Sequence, residues 1–426
     1  MVKVSLAILI IPLISFLVNG LFVYGKNRLS SYLSIALMLL TIVCSAVILY
    51  SVGSEVFTSE IDWFVVGGQT FSIGLLIDFS GAVMLAVISI VSFLVHLYSL
   101  LYMAKDSGYT RYFAFLGLFT FAINGIVLAD NLLVVFVFWE LVGLSSYLLI
   151  GHWYQKDSAS KAAKKAFIIN RIGDAGFIAA LCILWSQFGT FHLLELETLM
   201  SNSVIKDGLW VSDIGSLPEV WLTVLGVGLF MAAMGKSAQF PLQVWLPDAM
   251  EGPTPVSALI HAATMVAAGV FLMSRVFVLL DMDSLLFVAI VGSLTAFMGA
   301  VAALAQNDIK KVLAFSTISQ LGYMIMGVGV GAYDAALFHL FTHAFFKAAL
   351  FLAAGSVIYS LHELAHEKGL HFDAQDMRNM GEIKKALPVT FYTYFMAACA
   401  LVGVPLFSGF LSKDALLVAT INWSNE

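Results

Sequence analysis

Apolar runs of membrane-spanning length, separated by short polar stretches, fill this chain and fix its solvent before any motif is read. About 20 residues of helix cross a bilayer. Twelve segments qualify: Val4–Tyr24, Ser31–Val52, Ile77–Met103, Phe113–Asp130, Leu132–Gly151, Ala162–Phe188, Val220–Trp245, Val256–Leu280, Leu285–Leu304, Val312–Val330, Ala332–Tyr359 and Ala386–Thr420. Gly235 and Pro241 interrupt the seventh, and Gly403, Pro405 and Gly409 the twelfth. The first run is too long for a signal-peptide core and lacks a small-residue cleavage site, so it reads as a retained helix. Of the 426 residues, 61% are hydrophobic and only 11% charged, against roughly 25% charged in soluble domains. The expected fold is an all-α polytopic membrane protein of about twelve transmembrane helices.

Loop charges orient the spans. One set of loops carries Lys26, Arg28, Lys105, Arg111, Lys156, Lys161, Lys164, Lys165, Lys310, Lys311, Lys368, Arg378, Lys384 and Lys385. The opposite set carries Lys3, Lys206 and Arg275 near a helix end, and is rich in acid: Glu55, Glu60, Asp62, Glu195, Glu197, Asp207, Asp213, Glu219, Asp281 and Asp283. The bias alternates across all twelve runs, and lysine and arginine stay on the cytoplasmic side. Both termini are therefore expected outside, which in a bacterium is the periplasmic face of the inner membrane. On that face Trp63–Val66, Gly67-Gly68 and Gln69–Ile73 read as a hairpin, and Leu193–Met200 as a surface helix. No basic domain suggests a nucleic-acid partner. Cys44, Cys182 and Cys399 fall in separate apolar runs without a CxxC, which argues against a thiolate-held metal or cluster.

Several charges remain inside the runs, where each costs at least about 2.5–3.5 kcal/mol at the bilayer centre. Lys236, Lys347 and Lys413 sit in apolar sequence, and Arg171 and Arg275 are placed to pair or snorkel. Glu140 has no charged neighbour in VVFVFWELVGLSSYLLI. It is either a structural ion-pair partner or a titratable relay. Asp174 follows Arg171 by three residues, so a local pair and a functional role both stand. Lys236 lies at the Gly235/Pro241 interruption, and Lys413, followed by Asp414, at that of Pro405 and Gly409. Broken helices at membrane depth line polar cavities in transporters, and the recurrence suggests structural repeats. His339, His343 and Lys347 are spaced i, i+4, i+8 on one helix face. The lysine would repel a metal ion, so a proton relay fits this face better. His261 reads as either a core histidine or a relay member. A lysine removed from water holds its proton less tightly and a nearby carboxylate restores it; histidine titrates near neutrality. In series such groups pass protons.

His362-Glu363-Leu364-Ala365-His366 matches HExxH, the zinc-protease pattern. His371 follows Gly369 by two residues where the extended motif needs three. The match lies at a charged helix end and explains none of the buried lysines.

The stretches FWELVGLSSYLLIGHWY, AFIINRIGDAGF, MGKSAQFPLQVWLPDAMEGPTPVSALIHAATMV, QNDIKKVLAFSTISQLGYM, HLFTHAFFKAALFLAAGSVIY and SGFLSKDALL strongly resemble the subunit L family, the large antiporter-like subunits of respiratory complex I (NADH:quinone oxidoreductase). The resemblance implies N-terminal helices over 1–110 and inverted repeats over 111–281 and 282–426. It implies Glu140 and Lys236 as a coupled pair, tuned by Asp174 with Arg171 beside it, and His261 as a link. His339, His343 and Lys347 become the central axis and Lys413 a terminal lysine. It implies protons as cargo, an adjacent antiporter-like subunit among the membrane-arm partners, and FMN, iron–sulfur clusters and quinone in partner subunits rather than in this chain. Related chains serve multi-subunit Na+/H+ antiporters and membrane-bound hydrogenases; AFIINRIGD resembles complex I more. The family's members normally continue with further helices, so the second repeat is expected to be incomplete here.

Overall fold

The computed structural model describes residues 1–53, 55–66, 69–212 and 215–423. Its helices are α1 Val2–Leu21, α2 Asn27–Val52, α3 Phe79–Tyr102, α4 Tyr109–Leu128, α5 Leu132–Ile150, α6 Asp157–Ile183, α7 Leu193–Ser201, α8 Val220–Lys236, α9 Thr254–Ala262, α10 Met265–Arg275, α11 Met282–Leu304, α12 Ile309–Gly329, α13 Tyr333–Lys368, α14 Ile383–Ala386, α15 Pro388–Val402 and α16 Ser408–Trp423. Side-chain caps set several starts: Asp78 accepts from Gly81 N, Asn131 from Val134 N, and Asp308 from Lys310 N and Lys311 N. Each satisfies amides that the first turn leaves without an internal acceptor.

Ten segments among the described residues are long and apolar enough to cross a bilayer. The other two of the twelve anticipated runs are the interrupted ones, whose helices α8 and α15 hold 17 and 15 residues. The chain is thus a multi-span membrane protein. The span anticipated at Val256–Leu280 is present as Thr254–Arg275 but is not one continuous helix. It divides at Ala263–Thr264 into α9 and α10, with Thr264 at φ −125°, ψ −100° and its hydroxyl donating to Leu259 O at 2.6 Å. No proline or glycine marks this break.

The hairpin is present and longer than read, with β1 Phe57–Val66 antiparallel to β2 Gln69–Ile77 and an irregularity at Trp63. Its expected Gly67-Gly68 turn, and the acidic Asp213, lie outside the described residues. The surface helix is α7. A three-stranded sheet, β3 Val204–Lys206, β4 Leu209–Ser212 and β5 Gly215–Pro218, is additional. Its first turn, Asp207-Gly208, has positive φ at both residues, as a two-residue hairpin turn requires.

Helices α4, α9 and α10 form the buried centre, and α1 and α2 expose most of their surface. Small residues bring backbones together where lipid gives helices no hydrophobic reason to associate. A Cβ added at Gly299 would lie 2.7 Å from Ser319 N, and one at Gly322 would strike the backbone of Ala296, so α11 and α12 touch along their length. Between α6 and α8, a Cβ at Gly173 would lie 2.7 Å from Met231 O and 3.1 Å from Gly235 Cα. That approach presses the end of α8, and so Lys236, against α6.

Candidate functional site

Lys236 is the last residue of α8 and is 1% exposed. Past it the chain turns through Ala238 at positive φ and two short 3-10 turns. Side chains satisfy the freed backbone, as membrane depth demands: Trp245 Nε1 donates to Gly235 O at 2.9 Å, Ser237 Oγ to Val266 O at 2.7 Å, and Thr295 Oγ1 accepts from Phe240 N at 3.0 Å. Ser237 thereby ties the α8 break to α10.

The Lys236 ammonium makes no hydrogen bond among the described residues. It lies 5.7 Å from the centroid of the Trp139 ring, a cation–π contact. Trp139 Nε1 donates to Asp174 Oδ1 at 2.8 Å, and Asp174 is the carboxylate whose charge acts on Lys236. Glu140 pairs with Arg171, and Arg171 also lies 3.9 Å from Asp174 Oδ2. Glu140 and Lys236, the coupled pair that the resemblance implies, make no direct ion pair here; the Arg171 guanidinium holds the Glu140 carboxylate. The arrangement is one network across α5, α6 and α8: Glu140–Arg171–Asp174–Trp139–Lys236.

His261, on the last turn of α9, is fully buried, has neither ring nitrogen hydrogen-bonded, and stacks on Phe351 at 5.4 Å. His343 faces the Ala262 backbone at the α9/α10 break without reaching hydrogen-bonding geometry. Isolated buried polar atoms cost about 1–3 kcal/mol each, so these rings are costly to fold stability. Lys347, also fully buried, donates to Ser316 Oγ at 2.6 Å and Leu313 O at 3.1 Å on α12. His339 bridges three helices: Nε2 meets Gln320 Oε1 on α12 at 3.1 Å and Nδ1 meets Ser412 Oγ on α16 at 2.8 Å. The amide oxygen only accepts, so Nε2 carries the proton and Nδ1 accepts from Ser412.

Lys413 follows Ser412 and donates to Leu401 O at the end of α15. The chain breaks here between Val402 and Ser408, through Gly403 at φ 88° and Leu406 at φ 76°. Pro405 lies in the break. Gly409, expected in it, is inside α16, where an added Cβ would strike the Ala400 carbonyl of α15; its role is close helix approach. Asp414 is exposed. Arg275 pairs with Asp78 at 2.8 Å on the face that carries the β1–β2 hairpin, apart from this axis.

Lys310 corrects the reading of the loop charges. It is 2% exposed, and its ammonium donates to Met250 O and to Gly252 O at 2.8 Å, clamping the segment after the α8 break. Trp139, Ser237, Ser316, Gln320 and Ser412 are the other participants that sequence reasoning missed; Ser412 directly precedes Lys413, a signal that was present. Among the HExxH residues, Glu363 pairs with Lys105 at 2.8 Å, and His362, His366 and, beyond them, His371 are exposed.

Residues 129–426 match the family model described as NADH:quinone oxidoreductase/Mrp antiporter, TM, and residues 63–113 match that of NADH-ubiquinone oxidoreductase (complex I), chain 5 N-terminus. The chain belongs to this family. Among antiporter-like relatives, an NAD(P)H-quinone oxidoreductase subunit 5 of Paulinella chromatophora is 50% identical, covering 83% of this chain and 52% of that one. An NADH-quinone oxidoreductase subunit L of Neisseria meningitidis is 43% identical over 97% of this chain and 61% of its own. In solved structures, a chain of the Mrp complex from Dietzia sp. DQ12-45-1b superposes with a TM-score of 0.82 at 29% identity, covering 98% of this chain and 43% of the other. The chain thus spans between half and two thirds of the length of these curated relatives.

Proposed function

We propose that this antiporter-like chain is a proton-translocating membrane-arm subunit of a complex I-type NADH:quinone oxidoreductase. One observation carries the reading: buried and half-buried lysines and histidines that make no direct ion pair lie along the spanning helices, and the helices break beside Lys236 and Lys413. Lys236, His261, His343, Lys347, His339 and Lys413 each have an exchangeable proton, and Ser412, next to Lys413 in the chain, is hydrogen-bonded to His339. Quinone reduction elsewhere in the assembly would move Glu140 between Arg171 and Lys236. In this reading, Glu140 on Arg171 corresponds to the open state of that pair, and transfer of Glu140 to Lys236 closes it.

The two repeats, residues 111–281 and 282–426, rest on parallel packing: α8 lies on α6 as α15 lies on α13, and α5 on α4 as α12 on α11. Each repeat breaks its fourth spanning run next to a lysine. In this reading the hairpin face is periplasmic, both termini lie there, and the bilayer is the bacterial inner membrane. The partners are other membrane-arm subunits, first the adjacent antiporter-like one. FMN, iron–sulfur clusters and quinone belong to partner subunits: one thiol on each of α2, α6 and α15 is not the donor set of a cluster.

The likeness to the Mrp complex favours a second reading, a subunit of a cation/proton antiporter. Proteoliposomes holding the complete assembly separate the two. NADH oxidation with quinone should drive proton uptake without sodium; proton movement driven by a sodium gradient alone, with no redox substrate, would replace the first reading with the second.

A further inference from the structure

We propose that Glu60, Asp130 and His192 form a binding site for a divalent cation of the zinc class on the hairpin face, apart from the buried axis. Each offers one ligand atom, and the three atoms lie within 4.8 Å of one another. They come from three elements: β1, the α4–α5 turn, and the residue capping α7. They line a cavity of about 410 Å3 that Glu195 also borders.

The scaffold holds two of the three donors in place. Leu193 N donates to Asp130 O and Leu132 N to Phe191 O, both at 3.0 Å, so the backbones carrying Asp130 and His192 run as a paired bridge. Each donor side chain is also fixed from behind. Ser72 Oγ meets His192 Nε2 at 3.1 Å, and Asn131 Nδ2 donates to Asp130 Oδ1 at 2.9 Å and to Ser72 O at 3.1 Å. Partners of this kind select the tautomer and aim of metal ligands. They leave His192 Nδ1 and Asp130 Oδ2 facing each other 3.5 Å apart. With the ring proton on Nε2, toward Ser72, the Nδ1 lone pair and the Asp130 carboxylate would hold a cation between them; without one, a proton on Nδ1 joins the two as a hydrogen-bonded pair.

The spacing suits an ion. Nitrogen and oxygen ligands at about 2.0–2.2 Å from a tetrahedral zinc stand about 3.3–3.6 Å from each other, the separation already present. Glu60 is exposed on its strand and can swing in as the third ligand. Two carboxylates neutralise a dication, and an imidazole in the set selects a late first-row metal over magnesium or calcium, which prefer all-oxygen shells. The bound ion would lock the hairpin and α7 to the end of α5, the helix that carries Trp139 and Glu140.

The test is calorimetric titration of zinc into the chelator-treated chain in lipid nanodiscs, with Glu219→Gln, another acidic position on the same face, as control. Saturable one-to-one binding is expected, weakened at least tenfold by His192→Ala and by Glu60→Gln and unchanged in the control. Millimolar magnesium or calcium should not compete. Cobalt should show a tetrahedral ligand-field spectrum that disappears in His192→Ala, which reads the nitrogen ligand independently of affinity. Equal zinc affinity in His192→Ala and the parent, or displacement by calcium at similar concentration, would mean adventitious binding only and overturn the site. Absence of saturable binding would leave His192 and Asp130 as a plain ion pair and also overturn it.

Discussion

The carboxylate of Glu140 is held by the guanidinium of Arg171, from the next helix, and not by the ammonium of Lys236. In the proposed mechanism, Arg171 would control whether Glu140 is free to reach the lysine. Its charge also reaches Asp174, which is bonded to the indole that lies against Lys236. Arginine is suited to this because its planar donors can serve two carboxylates while staying charged.

Replacing Arg171 with alanine should release Glu140 to Lys236 permanently. The expected result is an assembled complex whose quinone reductase rate and proton uptake both fall several-fold, with Arg171→Lys intermediate. A parent-like rate in Arg171→Ala would remove arginine from the switch.

Ser412 and Gln320 fix His339 between α16 and α12. Ser412→Ala removes the donor to Nδ1 and leaves that nitrogen without its partner on α16. The pH profile of proton uptake should shift while the amount of assembled complex stays constant. An unchanged profile would reduce Ser412 to packing.

Lys310 holds two carbonyls of the segment that follows the first break. Lys310→Met keeps the stem but leaves those carbonyls without a donor, at a cost of about 1–3 kcal/mol. A lowered unfolding temperature is expected, with proteolysis appearing first near Asp248–Glu251. Proteolysis identical to that of the parent would contradict the clamp.

Asp106, on the lysine-rich face, gives a pH dependence outside the membrane. Burial raises its carboxyl, but hydrogen bonds from His152, Trp153 and the Gly108 amide outweigh this and hold it at about 2, against an ordinary 3.8. A lowered folded-state value stabilises above the unfolded value and is lost as pH falls through the folded one. Asp106→Asn should therefore lower the unfolding temperature at pH 6, and the difference should shrink from pH 4 to pH 2. A pH-independent difference would exclude the ionised carboxylate as its source.

Span positions, the hairpin, α7 and both lysine-bearing breaks were legible because apolar length, charge bias, glycine and proline are local signals. The α9/α10 break was not, since no residue in HAATM forbids helix and the irregular backbone is held by Thr264 and by packing. Lys310 read as a loop charge because Lys310-Lys311 opens a helix, and only the tertiary fold shows that one of the two points inward. The buried members of the axis were visible as charges in apolar runs. Their partners were not, because which carboxylate meets Lys236 depends on how Gly173 and Gly235 let α6 and α8 approach, a contact between segments far apart in sequence.

Whether the buried groups carry protons is decided by proton uptake and quinone reductase activity, measured together, in proteoliposomes containing the assembled complex with Lys236→Ala. Both should fall together, with Glu140→Ala behaving alike. Full pumping in both variants, or lost assembly with an unchanged proton-to-electron ratio in whatever assembles, would contradict proton carriage and leave the axis a structural spacer.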